Sequence, residues 1–147
     1  MSARDQRRLV FHGAIILLAG SLCGFPEMVA IRSGTPEPLL HAWRVAHQAL
    51  IGGGIMLIAV GAALDHVTLS PRAAAWLVWV LVAVAYGAVV GLGLPAVAGV
   101  RGLEPTGPPL NLIAFLGNLV VGAGTLVALP LLVWGARAGA VRLPHSP

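Results

Sequence analysis

His47 stands in the run Leu40-His41-Ala42-Trp43-Arg44-Val45-Ala46-His47-Gln48-Ala49, inside a stretch that is otherwise membrane-like. An imidazole or guanidinium is costly to strip of water, so an ionisable side chain deep in an apolar helix points to a function. At ~1.5 Å per residue, His47 lies about 14 Å along its helix from Pro38, well inside the hydrocarbon. Its neighbours suggest what it would hold. Trp43 comes one turn before it and Ile51 one turn after, on the same face. Gly54 returns to that face and leaves backbone bare for something flat. His41 and Arg44 occupy successive turns toward the outer surface, where they would meet carboxylates. A planar, apolar ligand with acidic arms fits this pattern. Heme, held through iron by His47 with its propionates near Arg44 or His41, is the candidate. The alternative is a neutral histidine hydrogen-bonded to a neighbouring helix.

The other histidines bear on that choice. His12 falls near one end of the first apolar segment and His47 in the opposite half of the second. An antiparallel pair would hold them about half a membrane apart, so they cannot share one iron within a protomer. His66 and His145 lie at or beyond membrane boundaries. One deep imidazole implies an open position opposite it, which suits chemistry or small-molecule binding better than electron transfer.

Few other polar groups are available. Tyr86 sits mid-helix, where its hydroxyl needs a partner; as a phenol it is a candidate proton donor to a developing oxyanion, with core filling the alternative. Asn111 and Asn118 share a face of the fourth segment, and Asn118 is a second candidate at the site, with interhelical hydrogen bonding the alternative. Glu27 and Glu104 are expected to be interfacial and solvated. No Ser-His-Asp, zinc or phosphate-loop arrangement can be assembled from the chain.

The elements that must position these residues are membrane helices. The chain of 147 residues is 58% hydrophobic and only 10% charged, against about a quarter charged in a soluble domain. Four stretches, 9–31, 39–64, 73–98 and 110–136, are each long enough to cross a hydrocarbon core of ~30 Å. They predict an all-α, single-domain, up-down-up-down four-helix bundle over residues 1–147. Gly20 and Gly24 form a small-xxx-small pair that lets a neighbouring backbone come close. Ser70-Pro71 is a cap and first-turn proline for the third helix. Arg7-Arg8 before an apolar run resembles a signal peptide. However, Leu22 stands where a lipoprotein cleavage before Cys23 needs a small residue, so the segment is expected to remain as the first helix.

All nine basic residues are arginines. Arg4, Arg7, Arg8, Arg72, Arg137 and Arg142 collect on the side of both termini, against Arg32, Arg44 and Arg101 on the other. That asymmetry predicts cytoplasmic termini; a bacterial inner membrane is the expected setting. No basic patch interleaved with exposed aromatics exists, which excludes nucleic acid as a partner. Cys23 is the only cysteine, so neither a disulfide nor a thiolate cluster can form within one chain.

Arg8-Leu9-Val10-Phe11-His12-Gly13 leading into Leu17-Leu18-Ala19-Gly20, then Trp43-Arg44-Val45-Ala46-His47 leading into a glycine-rich helix, resembles the styrene oxide isomerase family. It is equally similar to the related hydroxylaminobenzene mutases. The resemblance implies a small four-helix membrane isomerase, a homotrimer with heme b between protomers, and His47 on the iron. It implies a ferric Lewis acid that takes the oxygen of a small aromatic epoxide; the ring opens to a benzylic cation and a hydride shift gives the aldehyde, with no net redox change. The mutase branch implies a hydroxylaminoarene instead. Three positions depart from the isomerase pattern: Gly53 where an asparagine is expected, Leu92 where a tyrosine is expected, and Val84 near an expected aspartate. Tyr86-Gly87 is similar to a Tyr-Gly pair of the mutases. Two readings from other classes stand beside this one, a non-catalytic heme-binding or gas-sensing membrane protein and a structural bundle without cofactor.

Overall fold

A computed structural model describes residues 2–140. Arg142 and His145 lie outside the described residues. Four helices make up the fold: α1 (Ala3–Arg32), α2 (Glu37–Ala63), α3 (Pro71–Ala98) and α4 (Pro109–Ala140), with a 3₁₀ turn, Leu64–His66, after α2. Among the described residues there is no strand.

The helix ends follow from local chemistry. α1 starts six residues before its apolar stretch because Ser2 and Asp5 form a capping box, in which each side chain satisfies a backbone N–H that the helix itself leaves free. Ser70 caps α3 through a bond from the Ala73 N–H, with Pro71 in the first turn as its sequence predicts. Gly99 ends α3 in the left-handed conformation, at φ 66°, where only glycine is unstrained.

α1 and α2 pack as an antiparallel hairpin with unusually close backbones. A Cβ placed on Gly54 would stand 2.6 Å from the Leu17 nitrogen, and one on Gly20 would stand 2.7 Å from the Ile51 nitrogen. α3 and α4 form a second antiparallel hairpin by the same device, since a Cβ on Gly117 would stand 2.6 Å from the Gly91 nitrogen. Bare backbone facing bare backbone maximises van der Waals contact where lipid offers no hydrophobic drive between helices.

The two hairpins meet through α3, which contacts α2 and, less extensively, α1. The core is therefore mostly a three-helix affair: Leu9 and Ile16 of α1, Leu50 and Leu57 of α2, and Leu77, Val78 and Leu81 of α3. α4 packs on α3 and adds Ala128 to this core. Thr68 donates from its N–H to the Gly135 carbonyl at 2.9 Å, which places the end of α4 beside the α2–α3 connection.

All four helices are long and apolar enough to span a membrane, yet the apolar windows of α1 and α4 are only 17% buried. That much exposed hydrocarbon is compatible with lipid and not with water, so the chain is an integral membrane protein.

Candidate functional site

His47 projects from α2 against α1. The ring lies over Gly24, where a Cβ would stand 3.1 Å from Cε1 and 3.3 Å from Nδ1. One turn away, the Gly20 carbonyl lies 2.8 Å from Nδ1. A carbonyl oxygen only accepts, so Nδ1 carries the proton and donates it. In the neutral ring the lone pair then belongs to Nε2. No buried side-chain nitrogen or oxygen among the described residues lacks a partner. Nε2, which bonds no protein group, therefore retains some accessible surface.

This geometry bears on both readings of His47. The hydrogen bond to a neighbouring helix, expected of a purely structural histidine, is present. It also fixes the tautomer and orientation, which is how a metal-ligating histidine is held by its second nitrogen. No three His, Cys, Asp or Glu side chains converge among the described residues. A donor set of one accessible imidazole fits an iron whose remaining ligands a macrocycle would supply, so the residues present fit heme.

The surrounding positions differ in part from the sequence expectation. Gly54 does not offer a bare surface to a flat ligand: its open side is filled by the α1 backbone at Gly13 and Leu17. Periodicity gives the face of a helix but not what covers it. Arg44 is already engaged in part, since Nε lies 3.6 Å from Glu27 Oε1 and Nη1 lies 3.6 Å from Glu37 Oε1. Glu27 is correspondingly not solvated, its side chain being 15% exposed. Trp43 is half-buried and His41 is exposed, both toward the rim from His47.

Tyr86 belongs elsewhere. Its hydroxyl lies 3.0 Å from Nδ1 of His12, and it is 37% exposed, so it is neither core filler nor a neighbour of His47. Gly13 packs at the level of Gly54 and Ile58, whereas Gly24 packs at the level of His47. Eleven residues of α1 at ~1.5 Å each separate those levels, about 16 Å along the axis. His12 and His47 are thus far apart, as the antiparallel argument requires.

Asn118 also has another task. Its Nδ2 donates to the Gly102 carbonyl at 2.9 Å. Asn111 Oδ1 accepts from the Arg101 and Gly102 N–H groups, while its Nδ2 donates to the Glu104 and Thr106 carbonyls. Both asparagines fasten the 99–108 loop onto α4 rather than bridging helices, and Asn118 has no contact with His47.

The residues missed from sequence are Gly20 and Gly24 as the seat of the imidazole. Their spacing of one turn read as helix packing. They do pack, and the same absence of side chains admits the ring.

A family model described as styrene oxide isomerase matches residues 5–137, nearly the whole chain. No curated protein matches the chain.

Proposed function

The chain belongs to the styrene oxide isomerase family, and on that premise we propose that it is a membrane isomerase carrying heme b on His47. Membership suggests an isomerase-type activity; the cofactor and substrate are our reading. The substrate class is a small aromatic epoxide, with a hydroxylaminoarene as the mutase-like counterpart, reaching the site through the bilayer. The observation that carries this reading is the His47 imidazole with Nδ1 committed to the Gly20 carbonyl and Nε2 left accessible.

When bound, a ferric heme supplies a Lewis acid for a rearrangement without net redox change. The chain's own residues do the rest. The Gly20 carbonyl accepts the Nδ1–H hydrogen bond and so fixes the ring with the Nε2 lone pair available to a ligand. Gly24 fixes the ring plane by lying beneath it. Arg44 presents five N–H donors, of which those at Nε and Nη1 face Glu27 and Glu37, leaving donors for an acidic arm near the rim with His41 close in sequence. Trp43 shields the approach from the headgroup region.

Nε2 keeps some accessible surface in the single chain, which is compatible with a ligand completed by a second copy in a homotrimer. The up-down-up-down order with both termini in the cytoplasm is supported by the excess of arginines at the terminal end, near which Trp76, Trp79 and Trp134 are exposed. Such a tryptophan belt marks an interface.

The test is turnover. Protein purified in mild detergent and loaded with hemin is incubated with styrene oxide and, separately, with phenylhydroxylamine. Phenylacetaldehyde or 2-aminophenol is expected, and should vanish in His47→Ala. Failure to convert either compound would contradict the proposed substrate classes.

A further inference from the structure

At the end of the molecule where α1 begins and α2 finishes, the two helices border an open-sided surface cavity of about 460 Å³ lined by Gln6, Arg7, Val10, Phe11, Gly61 and Ala62. Residue types explain why it exists. Gly61 draws the helices together, since a Cβ there would stand 3.1 Å from the Leu9 Cβ and 3.2 Å from the Gln6 carbonyl oxygen. Ala62 adds only a methyl, so α2 puts no bulk opposite the side chains of Val10 and Phe11.

The lining is graded along the axis. Gln6 and Arg7 form the outer end, and Val10 and Phe11 lie one turn further in. Arg7 has no carboxylate within ion-pair distance among the described residues. Asp5 faces Arg8 instead, and Asp65, on the adjacent 3₁₀ turn, does not line the cavity.

An independent observation fixes the depth. The Arg8 guanidinium stands 4.5 Å above the Trp79 ring, and Trp76 and Trp134 are exposed near the same end. Tryptophans gather where headgroups meet hydrocarbon, so the cavity straddles that boundary with its cation on the headgroup side.

We propose that this cavity is a binding site for an acidic phospholipid of the leaflet on the terminal side. The phosphate lies against Arg7 and Gln6, with the fork of the guanidinium matched to phosphate oxygens. The first acyl segments run along Val10, Phe11 and the bare Gly61–Ala62 edge. Arg4, Arg8 and Arg72 at the same end add to the attraction for anionic headgroups.

The full chain is purified from an equimolar mixture of phosphatidylglycerol and phosphatidylcholine, and retained lipid is counted by native mass spectrometry. Phosphatidylglycerol is expected to be enriched, and the enrichment should fall about fivefold in Arg7→Gln, the factor for one interfacial cation. Ala62→Phe, which fills the cavity without changing charge, should lower it as well, whereas Arg32→Gln at the opposite end should not. Both Arg7 and Ala62 are exposed, and an unchanged elution profile confirms folding. Glycerol phosphate in excess should leave the lipid in place. Equal retention of both lipids, wild-type retention by Arg7→Gln, an equal loss in Arg32→Gln, or displacement by glycerol phosphate would overturn the proposal.

Discussion

An imidazole in hydrocarbon needs a partner for its N–H, and Gly20 supplies one only because Gly24 has no side chain in the way. Gly24→Leu should therefore displace the ring while α1 remains helical. In a hemin titration we expect at least a tenfold loss of affinity, within the range seen when supporting contacts of a metal ligand are removed. Gly53 is the contrasting case, since a Cβ there would meet nothing within 4 Å. Gly53→Asn, which introduces the residue expected from the isomerase pattern, should fold normally, with thermal stability changed by less than ~0.5 kcal/mol. If substrate orientation is what this chain lacks, the same variant should raise styrene oxide turnover. Depth and residue type made His47 legible in the sequence. The pairing of Arg44 with Glu27 was not, because those residues are far apart in the chain and meet only through the antiparallel register of α1 and α2.

Among the elements, the hairpins depend on bare backbone and the long loop on two amides. Gly54→Leu should be severely destabilising, because its Cβ would collide with backbone rather than a movable side chain; loss of monodisperse protein on gel filtration is the expected readout. Gly52→Leu, two residues away and facing open space, should behave as wild type. Asn111→Ala removes four hydrogen bonds to the 99–108 loop. At ~0.5–1.5 kcal/mol each, the loss is about 2–6 kcal/mol, and limited proteolysis should cleave within that loop first. Hydropathy located all four helices to within a few residues at most ends. It missed the first turns of α1 because a polar capping box and three arginines continue the helix beyond its apolar part. It placed Asn111 and Asn118 on one face correctly, but a loop folding back over that face leaves no periodic signature.

For the whole molecule, the open arrangement matters most. α4 packs mainly on α3, touching the α2–α3 connection only at its end, and large apolar side chains such as Leu126 and Val133 remain exposed, available to lipid or to further copies. In a cyclic assembly whose axis is normal to the membrane, rotation carries each residue to its partner at unchanged depth. Tyr86 would thus stay about 16 Å from the level of His47, and assembly cannot restore it to that site. The proposed trimer predicts a complex of three chains in native mass spectrometry, with one heme per His47.

The account rests on His47 as the iron ligand, and an optical titration of apo-protein with hemin tests it most directly. The wild type should develop a sharp Soret band that saturates at one heme per chain. His47→Ala should lose it and regain a similar spectrum with added imidazole, while His12→Ala should match the wild type. A Soret band unchanged in His47→Ala, or lost instead in His12→Ala, would contradict the account.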